Sequence, residues 1–165
     1  MSVVAIASEA GTTRQAVYRR WPSKADLATA AIAALASSEH RAVGDDHFVE
    51  LVAELRRFQR GIGRPDGLSM VGTMLHRSTD RRLVELYRDR VVTPRRTTLL
   101  SILERARDSG ELDPHADLEA GVTMLTGSWY ARSLAADAPL PRWSQRIAAL
   151  VWTALGGSMT ASNQP

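Results

Sequence analysis

Apolar residues recur at intervals of three, four and seven along most of this 165-residue chain, and nowhere do they alternate with polar ones over the length of a strand. That pattern suits helices that bury one stripe each and offers nothing to a sheet, so an all-α fold is expected. The 5% aromatic content also disfavours an all-β architecture, while 44% hydrophobic residues are enough to fill a core. The periodicity is interrupted at Gly11, Trp21-Pro22, Gly44-Asp45-Asp46, the stretch from Gly61 to Gly67, Gly110 and Gly156-Gly157. Between these breaks the spacing predicts helices over Val3 to Ala10, Arg14 to Arg20, Lys24 to Ser38, His47 to Gln59 and Leu68 to Arg77. A long helix is expected from an Asp80 cap to Ser109, kinked or interrupted at Pro94. Two more follow, Asp117 to Ala136 and Trp143 to Leu155. The expected organisation is a small N-terminal domain over 1–43, a larger helical domain over 46–156 and a disordered tail over 157–165.

Charge is informative by position more than by amount. The net charge is +3, and of the 21 basic residues Lys24 is the sole lysine, a bias that an arginine- and alanine-rich genome produces by itself. Yet Arg14, Arg19, Arg20 and Lys24 fall within one short stretch that holds no acidic residue. A local positive face of that kind is what meets phosphates.

The same stretch carries the most specific spacing in the chain. Two short helices meet at a tight turn, with Ala7 and Gly11 four apart, Ile6 before them and Val17 after. A helix-turn-helix needs this arrangement: a small residue where the second helix crosses the first, a glycine to reverse the chain, and an apolar residue to seal the pair. Thr13 is placed to cap the second helix and Ser23 the third. Arg14, Gln15 and Arg19 would then face outward, free to enter a DNA major groove, where Arg pairs with guanine and Gln with adenine. An ordinary helical hairpin with solvated arginines has the same spacing.

The run from Ala5 to Leu27 resembles the tetracycline-repressor (TetR) family. The shared features are Ala10-Gly11, Thr13, Tyr18-Arg19, Trp21, Ser23-Lys24 and Leu27, and the stretch from Glu104 to Leu112 with Asp113-Pro114 and Asp117 is similar to the ligand-domain segment of one subgroup. The resemblance implies a dimeric DNA-binding regulator, in most cases a repressor released from operator DNA by a small molecule. It implies phosphate contacts from Thr13 and Tyr18, base-edge contacts from Arg14, Gln15 and Ala16, a backbone grip from Lys24, and places for Thr12 and Arg19 on the same surface. Trp21 is expected to pack beneath the second helix. Thr12 departs from the family, which favours Val there. The family also carries a further helix ahead of the one starting near Val3, whereas only Met1 and Ser2 precede it here. A late-assigned start, a shortened chain or a divergent member would each give this departure. It is expected to strip cover from Ile6, Val17 and Leu35, so the alternative reading is a dimeric helical ligand-binding protein with impaired or lost DNA binding.

For the larger domain the resemblance implies an effector cavity, with Phe58, Met70, Met74, His76, Tyr87, Met124 and Trp129 as candidate linings. Methionine and aromatic rings adapt to apolar ligands, although at helical spacing they equally form plain core. It also implies dimerisation through the last two helices, with Gly121, Trp129, Leu150 and Trp152 as candidates. No enzyme, cofactor or metal is expected. The chain has no cysteine, and His40, His47, His76 and His115 never stand four apart. The segment Gly67 to Gly72 misses the spacing of a nucleophile elbow, and Gly61-Ile62-Gly63 that of a dinucleotide-binding loop. Without a basic leader or an apolar run of about 20 residues, the expected location is the cytoplasm, with no membrane partner.

Overall fold

Three helices end in the same way. Gly11, Gly110 and Gly156 have φ of 61°, 81° and 88°, the left-handed region that glycine enters without a Cβ clash. In each cap the glycine N–H bonds the carbonyl three residues back and the following N–H bonds the carbonyl five residues back: Gly11 to Ser8 and Thr12 to Ala7, Gly110 to Arg107 and Glu111 to Ala106, Gly156 to Thr153 and Gly157 to Trp152. The terminal carbonyls that a helix leaves orphaned are thereby satisfied.

The computed structural model describes residues 3–37, 46–63, 67–76, 80–135 and 140–159, and among these all regular structure is helical. The helices are α1 (Val3–Glu9), α2 (Arg14–Arg20), α3 (Lys24–Ser37), α4 (His47–Ile62), α5 (Gly67–Leu75), α6 (Arg81–Tyr87), α7 (Thr93–Asp108), α8 (Leu118–Leu134) and α9 (Trp143–Ala154). Starts follow side-chain caps: the Thr13 hydroxyl accepts from Ala16 N–H at 3.1 Å, Asp46 from Val49, Asp80 from Arg82 and Asp117 from Ala120. Between α6 and α7 lies a π-helical turn, Arg88–Val92, where Thr93 N–H bonds the carbonyl of Arg88. The expected interruption at Pro94 takes this form. Proline offers no N–H to the carbonyl four residues back and its ring crowds that oxygen, and a widened turn just ahead relieves both. The expected loop from Gly61 to Gly67 is shorter than anticipated, because α4 continues to Ile62, which is 7% exposed. Burial of Ile62 holds the last turn despite Gly61.

The chain divides into two units. The first comprises Met1–Ser38 with Val71–Thr93, and in it α3 packs against α6 and the π turn. Its helix-turn-helix end is cored by Val3, Ala7 and Val17, with Tyr18, Trp21 and Leu27 against them. In α3, Thr29 is fully buried with its hydroxyl donated to the Ala25 carbonyl, whereas Ala31, two residues on, is exposed. Leu75, at the end of α5, is 79% exposed.

The second unit, Glu39–Met70 with Pro94–Pro165, is built on α4, α7, α8 and α9. Leu51, Leu55, Leu99, Ile102, Leu103 and Leu125 are fully buried there. The α4 register places Glu50 inward as well, where it pairs with Arg105 of α7. At one end Trp152 meets the Phe48 ring edge-on at 5.5 Å; at the other Phe58, Trp129 and Trp143 stack together. α8 and α9 approach closely because residue 121 is glycine: a Cβ there would stand 3.0 Å from Leu155 Cδ1.

Candidate nucleic-acid interface

α2 is a seven-residue helix whose inward residue is Val17, 5% exposed against Val3 and Ala7. Successive helical side chains step by about 100°, which sets the other six around that anchor. Gln15 and Arg19 lie opposite Val17, at the crest of the outward face. Arg14 and Tyr18 form one flank of the crest, Ala16 and Arg20 the other. Exposure follows this geometry: Arg14, Gln15, Arg19 and Arg20 are exposed, Ala16 and Tyr18 half-buried.

Several contacts hold these side chains in place. The Arg14 guanidinium lies 5.3 Å from the Tyr18 ring centroid, and that of Arg20 lies 5.2 Å from the Trp21 ring. Trp21 is extended (φ −129°, ψ 100°) ahead of Pro22 and tucks against the small core, as expected. Thr12 is exposed and its N–H is spent on the turn at Ala7. Ala16, Arg19, Arg20 and Trp21 line a shallow concavity of about 490 Å³ beside Thr12 and Val17.

Lys24 is exposed at the start of α3. Ser23 accepts from Asp26 N–H at 3.1 Å and donates its hydroxyl to Asp26 Oδ2 at 2.7 Å. The Asp26 carboxylate, the first acid after the basic stretch, is thus tied to the cap. The Ser-x-x-Asp spacing is a signal the sequence reading used only in part, for Ser23. Val17 is well covered, Ile6 is half-buried, and the Leu35 side chain lies outside the described residues.

Charge is divided between the units. Nine Lys/Arg stand against five Asp/Glu in the unit that holds α2, and twelve against thirteen in the other. The positive excess therefore resides in the unit that carries α2.

The residues expected around an effector are divided between the two units. Phe58 and Trp129 meet, with ring centroids 6.4 Å apart and planes at 88°. Met124 is 54% exposed on the outer side of α8 and His76 is exposed, so neither lines an enclosed cavity. Met74 and Tyr87 are half-buried and belong to the other unit; the Met70 side chain lies outside the described residues. Of the residues expected between subunits, Gly121, Trp129 and Trp152 are inside the protomer, whereas Leu150 is 67% exposed. Their burial follows from the close α8–α9 approach and the aromatic stacking, which use these side chains within one chain. No group of three or more metal-ligating side chains occurs among the described residues, and none of their helices is long and apolar enough to cross a membrane.

Comparison with known proteins agrees with this arrangement. Residues 46–151 match the family model of the tetracyclin repressor-like C-terminal domain, and residues 1–31 match that of bacterial regulatory proteins of the tetR family. No curated protein matches the chain. The crystal structure of the TetR family transcription regulator SCO0332 is similar, with a TM-score of 0.71 and 27% identity over 96% of this chain and 87% of that one. An exposed basic recognition helix on a helix-turn-helix, followed by a larger helical domain and matched by both family models, places the chain in the TetR family of DNA-binding transcription regulators.

Proposed function

We propose that the protein is a cytoplasmic repressor that binds operator DNA as a homodimer and leaves it when a small-molecule effector binds the larger unit. The observation that carries this reading is the outward crest of α2, Gln15 and Arg19, flanked by Arg14 and anchored from behind by Val17. Gln15, Arg19 and Arg14 would face base edges along with the small Ala16. Thr12, Thr13, Tyr18 and Lys24 would meet phosphates on either side. Dimerisation would use the outer face of α8 and α9, where Leu150 is exposed and a groove of about 400 Å³ is lined by Ala120, Gly121, Met124, Val151 and Leu155 among others. Gly121, Trp129 and Trp152 would shape that face from within. Two such subunits would hold their α2 helices about 34–36 Å apart, one turn of DNA. An effector that favours a different spacing would release the operator through a coupling of about 1–3 kcal/mol.

Fluorescence anisotropy against the intergenic DNA upstream of the protein's own coding sequence tests this, at two salt concentrations. Selective, salt-dependent binding is expected, and Arg14→Ala should weaken it by about 1–3 kcal/mol. A folded dimer that binds no DNA would instead favour a ligand-binding protein without a working reading head.

A further inference from the structure

Two hydrogen-bond donors beside the Phe58 ring have no acceptor among the described residues. The Arg95 guanidinium lies over the ring face, 5.2 Å from its centroid, half-buried and with no acidic partner among the described residues. Its neighbour Arg96 shows the ordinary arrangement, paired with Glu119 and Thr123. The second donor is the Trp129 indole N–H. This side chain stands edge-on to the same Phe58 ring, is 7% exposed, and its Nε1 is buried without a partner. Other donors in this corner are satisfied: Trp143 Nε1 donates to Ser128 Oγ at 3.2 Å, and the Ser144 hydroxyl to Gln59 Oε1 at 3.0 Å. A buried donor is costly to leave unmade, and an arginine held out of full solvent seeks an anion. Gly61, exposed on the last turn of α4, borders the Arg95 guanidinium. A Cβ at Gly61 would find a lone heavy-atom neighbour within 4 Å, Arg95 Nη2 at 3.8 Å.

We propose that the effector of this protein is an amphipathic organic acid, seated in the corner formed by Phe58, Arg95, Gly61 and Trp129. Its carboxylate pairs with the Arg95 guanidinium, its flat apolar body takes the Phe58 face that Arg95 now covers, and an acceptor atom answers the Trp129 N–H. The assignment rests on the effector reading above and adds the chemical class. Arginine fits it because its planar fork pairs with a carboxylate through two parallel bonds.

Isothermal titration of the full chain with phenylacetate, 1-naphthoate and decanoate, each beside its primary amide and its amine, tests the assignment. At least one acid should bind about tenfold or more tightly than its amide. Arg95→Gln should erase that preference while Arg96→Gln keeps it. Gly61→Leu should block binding with the melting temperature unchanged or raised, since its Cβ meets no clash and the helix gains a better former. Trp129→Phe keeps a ring and should weaken binding by removing the donor. The assignment is overturned if no acid binds, if amides or amines bind as well as acids, or if acid binding survives both Arg95→Gln and Gly61→Leu. Operator release by a neutral or cationic probe would leave the effector reading standing without this site. Binding of an acid here that never alters operator affinity would sink the effector reading and keep the site.

Discussion

Glu50 and Arg105 form a pair whose two ends sit in different surroundings. The Glu50 side chain is 3% exposed and that of Arg105 is 39% exposed. One oxygen of Glu50 meets Arg105, and the other is buried without a partner. Removing the arginine strands a carboxylate in the interior, whereas removing the carboxylate leaves an arginine that reaches water. Arg105→Met should therefore cost about 3–5 kcal/mol in urea unfolding, and Glu50→Gln clearly less; equal losses would refute this asymmetry. Glu111 behaves differently. Burial acts to raise its pKa, but hydrogen bonds from the Ser109 hydroxyl and from His47, together with the His47 charge, outweigh this and hold it below the ordinary 4.5. A carboxyl depressed on folding adds stability that is fully present above its unfolded value and is lost as pH falls through its folded one. The stability gap between the native chain and Glu111→Gln should thus narrow from about pH 6 to about pH 3, as read by urea midpoints.

Helix ends and helix approaches are decided by small residues whose signals differ in legibility. The glycine caps at Gly11, Gly110 and Gly156 were readable, because a glycine at the close of an apolar stripe has a local, backbone reason to be there. The extension of α4 through Gly61 was not, since burial of Ile62 against the core outweighs the helix propensity of one glycine. Gly121 was legible as a small residue suited to close approach, but the spacing did not say against what. It faces Leu155 and Val151 of the same chain. Gly121→Val should force α8 off α9 and cost about 1–3 kcal/mol, measured by chemical unfolding; a neutral result would mean that Leu155 can move aside freely.

At the scale of the molecule, basic charge collects in the unit that carries α2, while α8 and α9 of the other expose the apolar side chains of Met124, Leu134 and Leu150. If the face around Leu150 joins two copies, Leu150→Glu should turn a dimer into a monomer by size-exclusion with light scattering. Operator affinity should then drop, while the fold survives because the side chain is 67% exposed. A dimer that persists would move the interface elsewhere.

The sequence by itself determined the helical class, nearly every helix start and stop, and the recognition helix. Those features rest on period, caps and turns, which are local interactions between residues a few positions apart. Val17, Thr13 and Gly11 specify their own surroundings, and Gln15 and Arg19 are left outward by subtraction. What only the tertiary structure decided is which of several equally apolar faces each long helix buries. α8 and α9 carry apolar residues on more than one side, so Trp129, Trp152 and Gly121 could be core or interface until α4 and each other claimed them. The same holds for Arg95 and the Trp129 N–H, whose place beside the Phe58 ring is set by contacts between residues far apart in the chain.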